Sequence, residues 1–171
     1  MNIILIGYRG TGKSSVGKKL AEKLQVPFYD TDDLIEAAAG RSIGEVVAES
    51  GWACFREMEK EVIRKLVFHR GGVIATGGGA VMDDENAENL KRTGTLVWLE
   101  ADVETIVRRI QGDLQNREQR PLFSADGLFH ETTGMLEKRT PVYARLADFS
   151  INTATMGMDE VVNEIFRFLH T

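Results

Sequence analysis

The sequence has few of the residues that build covalent or metal-based frameworks. It contains one cysteine, Cys54, and three histidines among 171 residues. A single cysteine excludes an internal disulfide and a metal cage built from cysteines. The histidines at 69, 130 and 170 lack metal-ligand spacing, and we assign them no catalytic role. This composition is compatible with a reducing compartment such as the cytoplasm.

Long apolar segments and an excess of basic residues are also absent. The first apolar run, Ile3–Ile6, is far too short for a signal peptide or a membrane span, so we expect a soluble cytoplasmic protein without a membrane partner. The formal net charge is −5 with both signs interleaved, which argues against a nucleic-acid partner. With 43% hydrophobic residues and three prolines, the chain is typical of one ordered domain.

Short β-rich runs alternate with helical patterns along the chain. The runs predict strands over residues 2–6, 27–29, 72–75, 95–99 and 148–151. Helical spacing of apolar residues follows all of them but the third, for example at Val103, Ile106, Val107 and Ile110. Strands that alternate with helices predict a parallel sheet covered on both faces, the three-layer α/β architecture. Ligands of such folds bind at the carboxyl ends of the strands.

The clearest motif follows the first predicted strand. Residues Gly7–Ser14 match G-x-x-x-x-G-K-S between a strand and a helix, which is the context of a phosphate-binding loop. Its glycines let successive N–H groups point at phosphate oxygens, and the helix starting near Lys13 adds the positive end of its dipole. Lys13 can reach the β- and γ-phosphates, and the Ser14 hydroxyl suits Mg²⁺. The loop predicts a nucleoside triphosphate site.

Two carboxylates narrow the class of nucleotide enzyme. The chain has no N-K-x-D segment of the kind that reads guanine, and its third strand ends in glycines rather than in the acidic residue of a motor ATPase. Instead Asp30 and Asp32 follow the second strand, where alternate residues face the same side. One is expected to serve a metal and the other an acceptor hydroxyl. The alternative is a solvated helix-capping cluster, and Asp33 is expected to be such a cap.

Arginines and glycines suggest an anionic acceptor. Arg56 has Glu59 three residues later on a predicted helix, and Arg139 precedes a Thr-Pro pair. Guanidinium groups that converge would bind a carboxylate through two parallel hydrogen bonds, whereas each alone is equally a surface ion pair. Gly77–Gly79 ends the third strand, where glycines permit close approach of a ligand and donation from their N–H groups.

A polar segment without periodicity spans residues 111–122 and contains Arg117 and Arg120. It is typical of a lid that closes over ATP and brings a cation to the phosphoryl group. The alternative is a plain surface loop.

Taken together, these motifs resemble one family. The ordered set GxxGTGKSSVG, FYDTDDLIE, GRSIGEV, FREME, TGGGAV, RPLF and KRTPVYARLAD, from about residue 3 to 148, is similar to the shikimate kinases. The resemblance implies a P-loop fold of the nucleoside-monophosphate-kinase type, with a five-stranded parallel sheet in the order 2-3-1-4-5. It also implies transfer of the γ-phosphate of ATP to the 3-hydroxyl of shikimate, on the route to chorismate and the aromatic amino acids. One domain over residues 1–171 would comprise a phosphate loop (7–15), a substrate-binding region (about 31–60) and a lid (about 111–124).

The same resemblance implies roles for single residues. The catalytic residues are Lys13, Asp32 as proton acceptor, and Arg120 of the lid. The ATP site comprises Gly10, Thr11, Gly12, Lys13, Ser14, Ser15, Arg109 against the adenine, and Arg120. The shikimate site comprises Asp32, Arg56, Gly77, Gly78, Gly79 and Arg139. The magnesium side comprises Ser14 and Asp30.

Three positions depart from the family pattern. Trp52 stands where an acidic residue is usual, Val47 where an aromatic residue often lines the substrate pocket, and residues 154–156 where some members have a basic residue near the adenine. The alternative functions are a kinase for another small hydroxy acid, of the gluconate type, and a non-catalytic nucleotide-binding homologue. By analogy with kinases that open and close around two substrates, we expect a monomer.

Overall fold

The structure, a computed structural model, describes residues 1–116 and 125–171. Along the chain the elements are β1 (Asn2–Ile6), α1 (Lys13–Leu24), β2 (Phe28–Asp30), α2 (Thr31–Ala39), α3 (Ile43–Leu66), β3 (Val73–Ala75), a 3₁₀ turn (Ala80–Met82), α4 (Asp84–Thr93), β4 (Gly94–Glu100), α5 (Val103–Asn116), α6 (Ala125–Leu146), β5 (Phe149–Asn152) and α7 (Met158–Leu169). In the part of the chain so described, no helix combines the length and the apolar character needed to cross a membrane.

The five strands form one parallel sheet in the order β2-β3-β1-β4-β5, which confirms the predicted architecture. In the central strand, Ile4 lies between Ile74 of β3 and Leu96 of β4. Because all strands run the same way, the loops that follow β1, β2 and β3 emerge at one edge of the sheet. The phosphate loop, the aspartates and the triple glycine therefore begin close together.

Helices cover both faces of the sheet. Successive side chains of β1 point to opposite faces, so Ile4 and Ile6 pack in one core cluster with Leu90 of α4, while Leu5 packs in another with Leu20 of α1. All five side chains are fully buried. A strand buried on both faces must be apolar at every position, which explains the uninterrupted apolar run at the start of the sequence.

The two helices predicted on either side of Gly51 are confirmed as the two arms of α3, which is kinked at Gly51, where φ is 82° and favours glycine. Two other local expectations differ from the structure. Helix α4 was not predicted, because only Ala87 and Leu90 of its ten residues are apolar and they cover the sheet. Residues 111–116, expected to begin the lid, are the last turns of α5.

Gly17 of α1 provides a test of the helix–sheet packing. A Cβ atom at this position would lie 2.5 Å from the ring of Phe28 in β2, whereas a Cβ at Gly134 in α6 would meet nothing within 4 Å. Gly17→Ala should therefore lower the free energy of unfolding by about 1–3 kcal/mol through overpacking. Gly134→Ala, the matched control, should raise it by about 0.5–1 kcal/mol through helix propensity. Urea denaturation measures both, and stabilisation by Gly17→Ala would contradict this packing.

Candidate active site

The loop between β1 and α1 has the backbone of a phosphate cradle. Gly7, Gly10 and Gly12 all have φ in the left-handed region, at 139°, 77° and 97°. Gly12 is also the N-cap of α1 and has no side chain to cap the helix. The first N–H groups of α1 are therefore left for an external acceptor, at the positive end of the helix dipole.

Lys13 is the first residue of α1, and its side chain folds back along the loop. Its Nζ donates to the carbonyl oxygens of Gly7, at 2.7 Å, and Tyr8, at 2.8 Å. Burial lowers the pKa of Lys13 to about 8, against the opposing effect of the nearby Asp32 and Asp30 carboxylates. A phosphate oxygen would replace the two carbonyl acceptors and add negative charge beside the ammonium group.

Ser14 and Asp30 form an oxygen pair next to the loop. The Ser14 hydroxyl donates to one carboxylate oxygen of Asp30 at 2.5 Å, and the other accepts the N–H of Asp32 at 3.0 Å. Asp30 is thus the N-cap of α2, and the expectation that Asp33 is the cap was wrong, because Asp30 is the residue whose backbone is extended just before the helix. A hydroxyl and a carboxylate beside a phosphate site fit Mg²⁺, which also takes phosphate and water oxygens.

Within residues 1–116 and 125–171, no group of three or more histidine, cysteine, aspartate or glutamate side chains is arranged to hold a metal. Among the described residues, Ser14 and Asp30 would offer Mg²⁺ two oxygen atoms, which suits a cation that also takes phosphate and water oxygens.

Asp32 lies between the phosphate loop and the glycine turn, Gly77–Gly79, after β3. Its carboxylate is the strongest of the charges that raise the pKa of Lys13. On the other side, a Cβ atom on Gly77 would lie 3.0 Å from Asp32 Oδ1 and 2.9 Å from Glu59 Oε2. Asp32 and Ser14 line one cavity of about 270 Å³. A hydroxyl group in this cavity would have a carboxylate beside it and the phosphate loop next to that.

The structure brings Arg56 of α3 and Arg139 of α6 to a second cavity, of about 390 Å³, which Gly79 also lines. Arg56 Nη1 donates to Glu59 Oε1 at 2.7 Å, and Glu59 is only 1% exposed. Burial raises the pKa of Glu59, with Arg56 acting in the opposite direction. The guanidinium of Arg139 lies 5.5 Å from the ring centre of Tyr8. Two oriented cations at one cavity suit a carboxylate ligand.

The glycine turn fits closely against these functional side chains. A Cβ on Gly78 would lie 3.4 Å from Arg139 Nη1, and a Cβ on Gly79 would lie 2.5 Å from Arg56 Nη2. None of the three glycines has a left-handed φ, so space and not backbone conformation requires them. The N–H of Gly77 donates to the Thr31 hydroxyl at 2.9 Å. Among the described residues, the N–H groups of Gly78 and Gly79 have no acceptor and remain available to a ligand.

Arg109 connects the phosphate loop to the segment after β5. Its guanidinium donates to the carbonyl oxygen of Gly10 at 3.2 Å and to Thr153, at 3.0 Å to the hydroxyl and 2.8 Å to the carbonyl oxygen. Thr153 in turn donates to the Thr11 carbonyl oxygen at 2.8 Å. Residues 154–156 follow Thr153 directly and therefore lie near Arg109. The family resemblance implies that Arg109 packs against the adenine. Arg120, together with residues 117–124 of the expected lid, lies outside the described residues.

The two unusual positions near the acceptor cavity lie in different surroundings. Val47 packs with the buried cluster between α2 and α3. Trp52 is 63% exposed, with its ring edge against Phe55 and 5.9 Å from the Arg56 guanidinium. Because Trp52 is aromatic and carries no negative charge, the charge of Arg56 is balanced by Glu59 and by a ligand.

Sequence reasoning missed three residues that hold the site in place: Thr31, Tyr143 and Thr153. Each donates to or accepts from backbone in a functional loop. Such hydroxyls have no sequence signal of their own, although Tyr143 follows Arg139 by one helical turn.

The chain is similar in sequence and in structure to known proteins. The sequence profile of the family described as Shikimate kinase matches residues 9–170. The chain is 52% identical to a shikimate kinase from Syntrophus aciditrophicus, over 97% of this chain and 89% of the relative. It is 43% identical to one from Symbiobacterium thermophilum, over 99% and 96%. A solved shikimate kinase from Acinetobacter baumannii, in complex with shikimate, superposes with a TM-score of 0.91 at 32% identity, covering 99% of this chain and 92% of the other.

The lowered pKa of Lys13 predicts a pH dependence of nucleotide binding. In the unliganded protein the lysine is protonated below pH about 8 and becomes neutral above it. The neutral amine cannot offset phosphate charge, so the affinity for MgATP should weaken above pH 8 by up to about tenfold per pH unit, with one ionisation. Calorimetric titration between pH 6.5 and 9.5 measures this. In the Lys13→Arg control the guanidinium stays protonated, so the same loss should be absent. Wild-type affinity that is constant to pH 9.5 would contradict the assignment.

Proposed function

This chain belongs to the shikimate kinase family, and from that premise we propose that it transfers the γ-phosphate of ATP to the 3-hydroxyl of shikimate, giving shikimate 3-phosphate and ADP. One observation carries the proposal. Asp32 lies between a phosphate loop on one side and a cavity with two arginines on the other. This is the order of groups that a hydroxylated ring acid needs if its hydroxyl is to meet a phosphate while its carboxylate is held. The product would serve the route to chorismate and the aromatic amino acids.

Arg56 and Arg139 hold the carboxylate of shikimate in this proposal. Glu59 fixes the Arg56 guanidinium by the 2.7 Å bond, and the Tyr8 ring supports that of Arg139. The N–H groups of Gly78 and Gly79, which have no acceptor among the described residues, would add donors at this turn, while Gly77 contributes by leaving space for Asp32 and Glu59. Because the two guanidinium groups bind the carboxylate at one end of the ring, they determine which hydroxyl reaches Asp32 at the other end.

Asp32 orients the 3-hydroxyl and accepts its proton as the oxygen attacks the γ-phosphorus. The bond from that phosphorus to the β-γ bridging oxygen breaks, and ADP leaves with the electron pair. Lys13 and the N-terminus of α1 stabilise the negative charge on the phosphoryl oxygens. The family resemblance adds Arg120 as a further cation on that group.

Ser14 and Asp30 are the residues that would hold Mg²⁺. When bound, the ion neutralises part of the phosphate charge and acts as a template for the nucleotide. Arg109 faces the adenine side, where Thr153 and the Gly10 carbonyl fix its guanidinium. By analogy with kinases that open and close around two substrates, we propose a monomer, and we place the reaction in the cytoplasm.

Acceptor specificity is tested by ADP release from purified protein with MgATP and shikimate, gluconate or no acceptor. We expect turnover with shikimate and none above background with gluconate or without acceptor, because the chain belongs to the shikimate kinase family. Turnover with gluconate alone would show that gluconate, and not shikimate, is the substrate. No turnover with either acceptor, with MgATP still bound, would indicate a non-catalytic nucleotide-binding protein.

The role of Asp32 is tested by comparing two isosteric changes of equal charge. Asp32→Asn removes the base and should lower kcat by about 10²–10⁴-fold, while the affinity for MgATP changes little. Asp84→Asn, in the first turn of α4, removes the same charge from an exposed side chain that lines neither cavity and should keep kcat within about twofold. Steady-state kinetics with shikimate gives both values. Equal kcat for the two variants would remove Asp32 from the mechanism.

A further inference from the structure

Tyr143 is a fully buried tyrosine whose hydroxyl is directed at the acceptor site. It lies on α6 with 0% of its surface exposed, and its ring is 5.9 Å from that of Trp98 on β4. The hydroxyl donates to the carbonyl oxygen of Gly78 at 2.5 Å. Burial raises the pKa of Tyr143 to about 12, while the charge of Arg139 and a side-chain hydrogen bond with that residue act in the opposite direction. The hydroxyl therefore remains a donor at physiological pH.

The partner of this hydroxyl is the residue where the two half-sites meet. A Cβ on Gly78 would lie 3.3 Å from the backbone nitrogen of Arg9 and 3.6 Å from the carbonyl oxygen of Gly7, both in the phosphate loop. On the acceptor side it would lie 3.4 Å from Arg139 Nη1. Gly78 is thus enclosed between the loop that binds ATP and an arginine of the acceptor cavity.

The hydrogen bond fixes more than one atom, because a peptide unit is planar. The Gly78 carbonyl and the Gly79 N–H belong to the same trans peptide group and point in opposite directions. Holding the carbonyl toward α6 therefore directs the Gly79 N–H away from α6. That N–H is one of the two backbone N–H groups of the glycine turn that have no acceptor among the described residues.

Such a peptide needs an external restraint. It is the middle peptide of a turn closed by the Ala80 N–H, which donates to the Gly77 carbonyl oxygen at 3.1 Å, and with glycine on both sides it can still rotate within that turn. Within the described residues, the Tyr143 hydroxyl is the one donor to the Gly78 carbonyl oxygen. The same helix carries Arg139 one turn earlier, so α6 supplies both an arginine of the cavity and the restraint on the turn that faces it.

We propose that Tyr143 is a positioning residue for acceptor binding: its hydroxyl holds the Gly78–Gly79 peptide so that the Gly79 N–H faces the acceptor. The inference rests on the proposed function, since the acceptor is taken to be shikimate. It assigns Tyr143 no contact with either substrate. Its effect should therefore appear in the affinity for the acceptor rather than in the chemical step.

The test replaces Tyr143 by phenylalanine, which keeps the ring beside Trp98 and removes only the hydroxyl. Because the loss of one buried hydrogen bond is involved, we expect KM for shikimate to rise by about tenfold, with kcat and KM for ATP within about twofold. The urea midpoint should fall only slightly, by the loss of the one donor to the Gly78 carbonyl oxygen. Tyr29→Phe is the matched control: it removes a tyrosine hydroxyl from β2, and we expect wild-type kinetics.

Two kinetic results would overturn the proposal. A wild-type KM for shikimate in Tyr143→Phe would show that the hydrogen bond does not serve the acceptor. A parallel loss in kcat, in both KM values and in the urea midpoint would show a general structural role. Failure of the proposed function looks different, because the wild-type protein itself would then not release ADP with shikimate.

A second measurement does not depend on turnover. In the unliganded protein, Tyr143→Phe should broaden the amide NMR signal of Gly79 by microsecond-to-millisecond exchange, as the freed peptide samples a second orientation. The Tyr29→Phe signal should match that of the wild type. A Gly79 amide in Tyr143→Phe with the shift and relaxation of the wild type would overturn the proposal whatever the substrate is.

Discussion

The site depends on the space left by three glycines at the carboxyl end of β3. The carboxylates of Asp32 and Glu59 pack where the side chain of Gly77 would be, Arg139 packs against Gly78, and Arg56 occupies the side-chain position of Gly79. A methyl group at any of these positions would contact a functional group. Charged side chains of opposite sign can therefore approach one backbone turn from three directions.

The parallel sheet brings this turn to the donor half of the site. β3 pairs directly with β1, so the glycine turn and the phosphate loop leave adjacent strands at the same edge. Gly78 contacts the loop on one side and Arg139 on the other, and Tyr143 holds its carbonyl oxygen. The electrostatics follow from this closeness: Lys13 is desolvated between the loop and α1, and two aspartates offset part of the cost. The proposed donor and acceptor sites thus share one backbone turn, Gly77–Gly79.

The sequence predicted the parts of the site that are local. The phosphate loop is a contiguous pattern whose backbone chemistry is determined by its own glycines, and the alternation of strands and helices predicted the layers. Convergence of Arg56 and Arg139 could not be derived from spacing, because it depends on how α3 and α6 pack on the sheet. Helix α4 was missed because most of its residues are polar and only two of its side chains pack on the core. The role of Tyr143 could not be predicted, because its partner is a backbone carbonyl that no side-chain pattern marks.

The most direct measurement is a crystal structure of the protein with shikimate and MgADP. We expect the shikimate carboxylate between the guanidinium groups of Arg56 and Arg139. Its 3-hydroxyl should lie about 2.6–3.2 Å from an Asp32 carboxylate oxygen, on the side facing the phosphate loop. Shikimate bound with its carboxylate away from both arginines, or with its 3-hydroxyl out of reach of Asp32, would contradict a site built around the glycine turn.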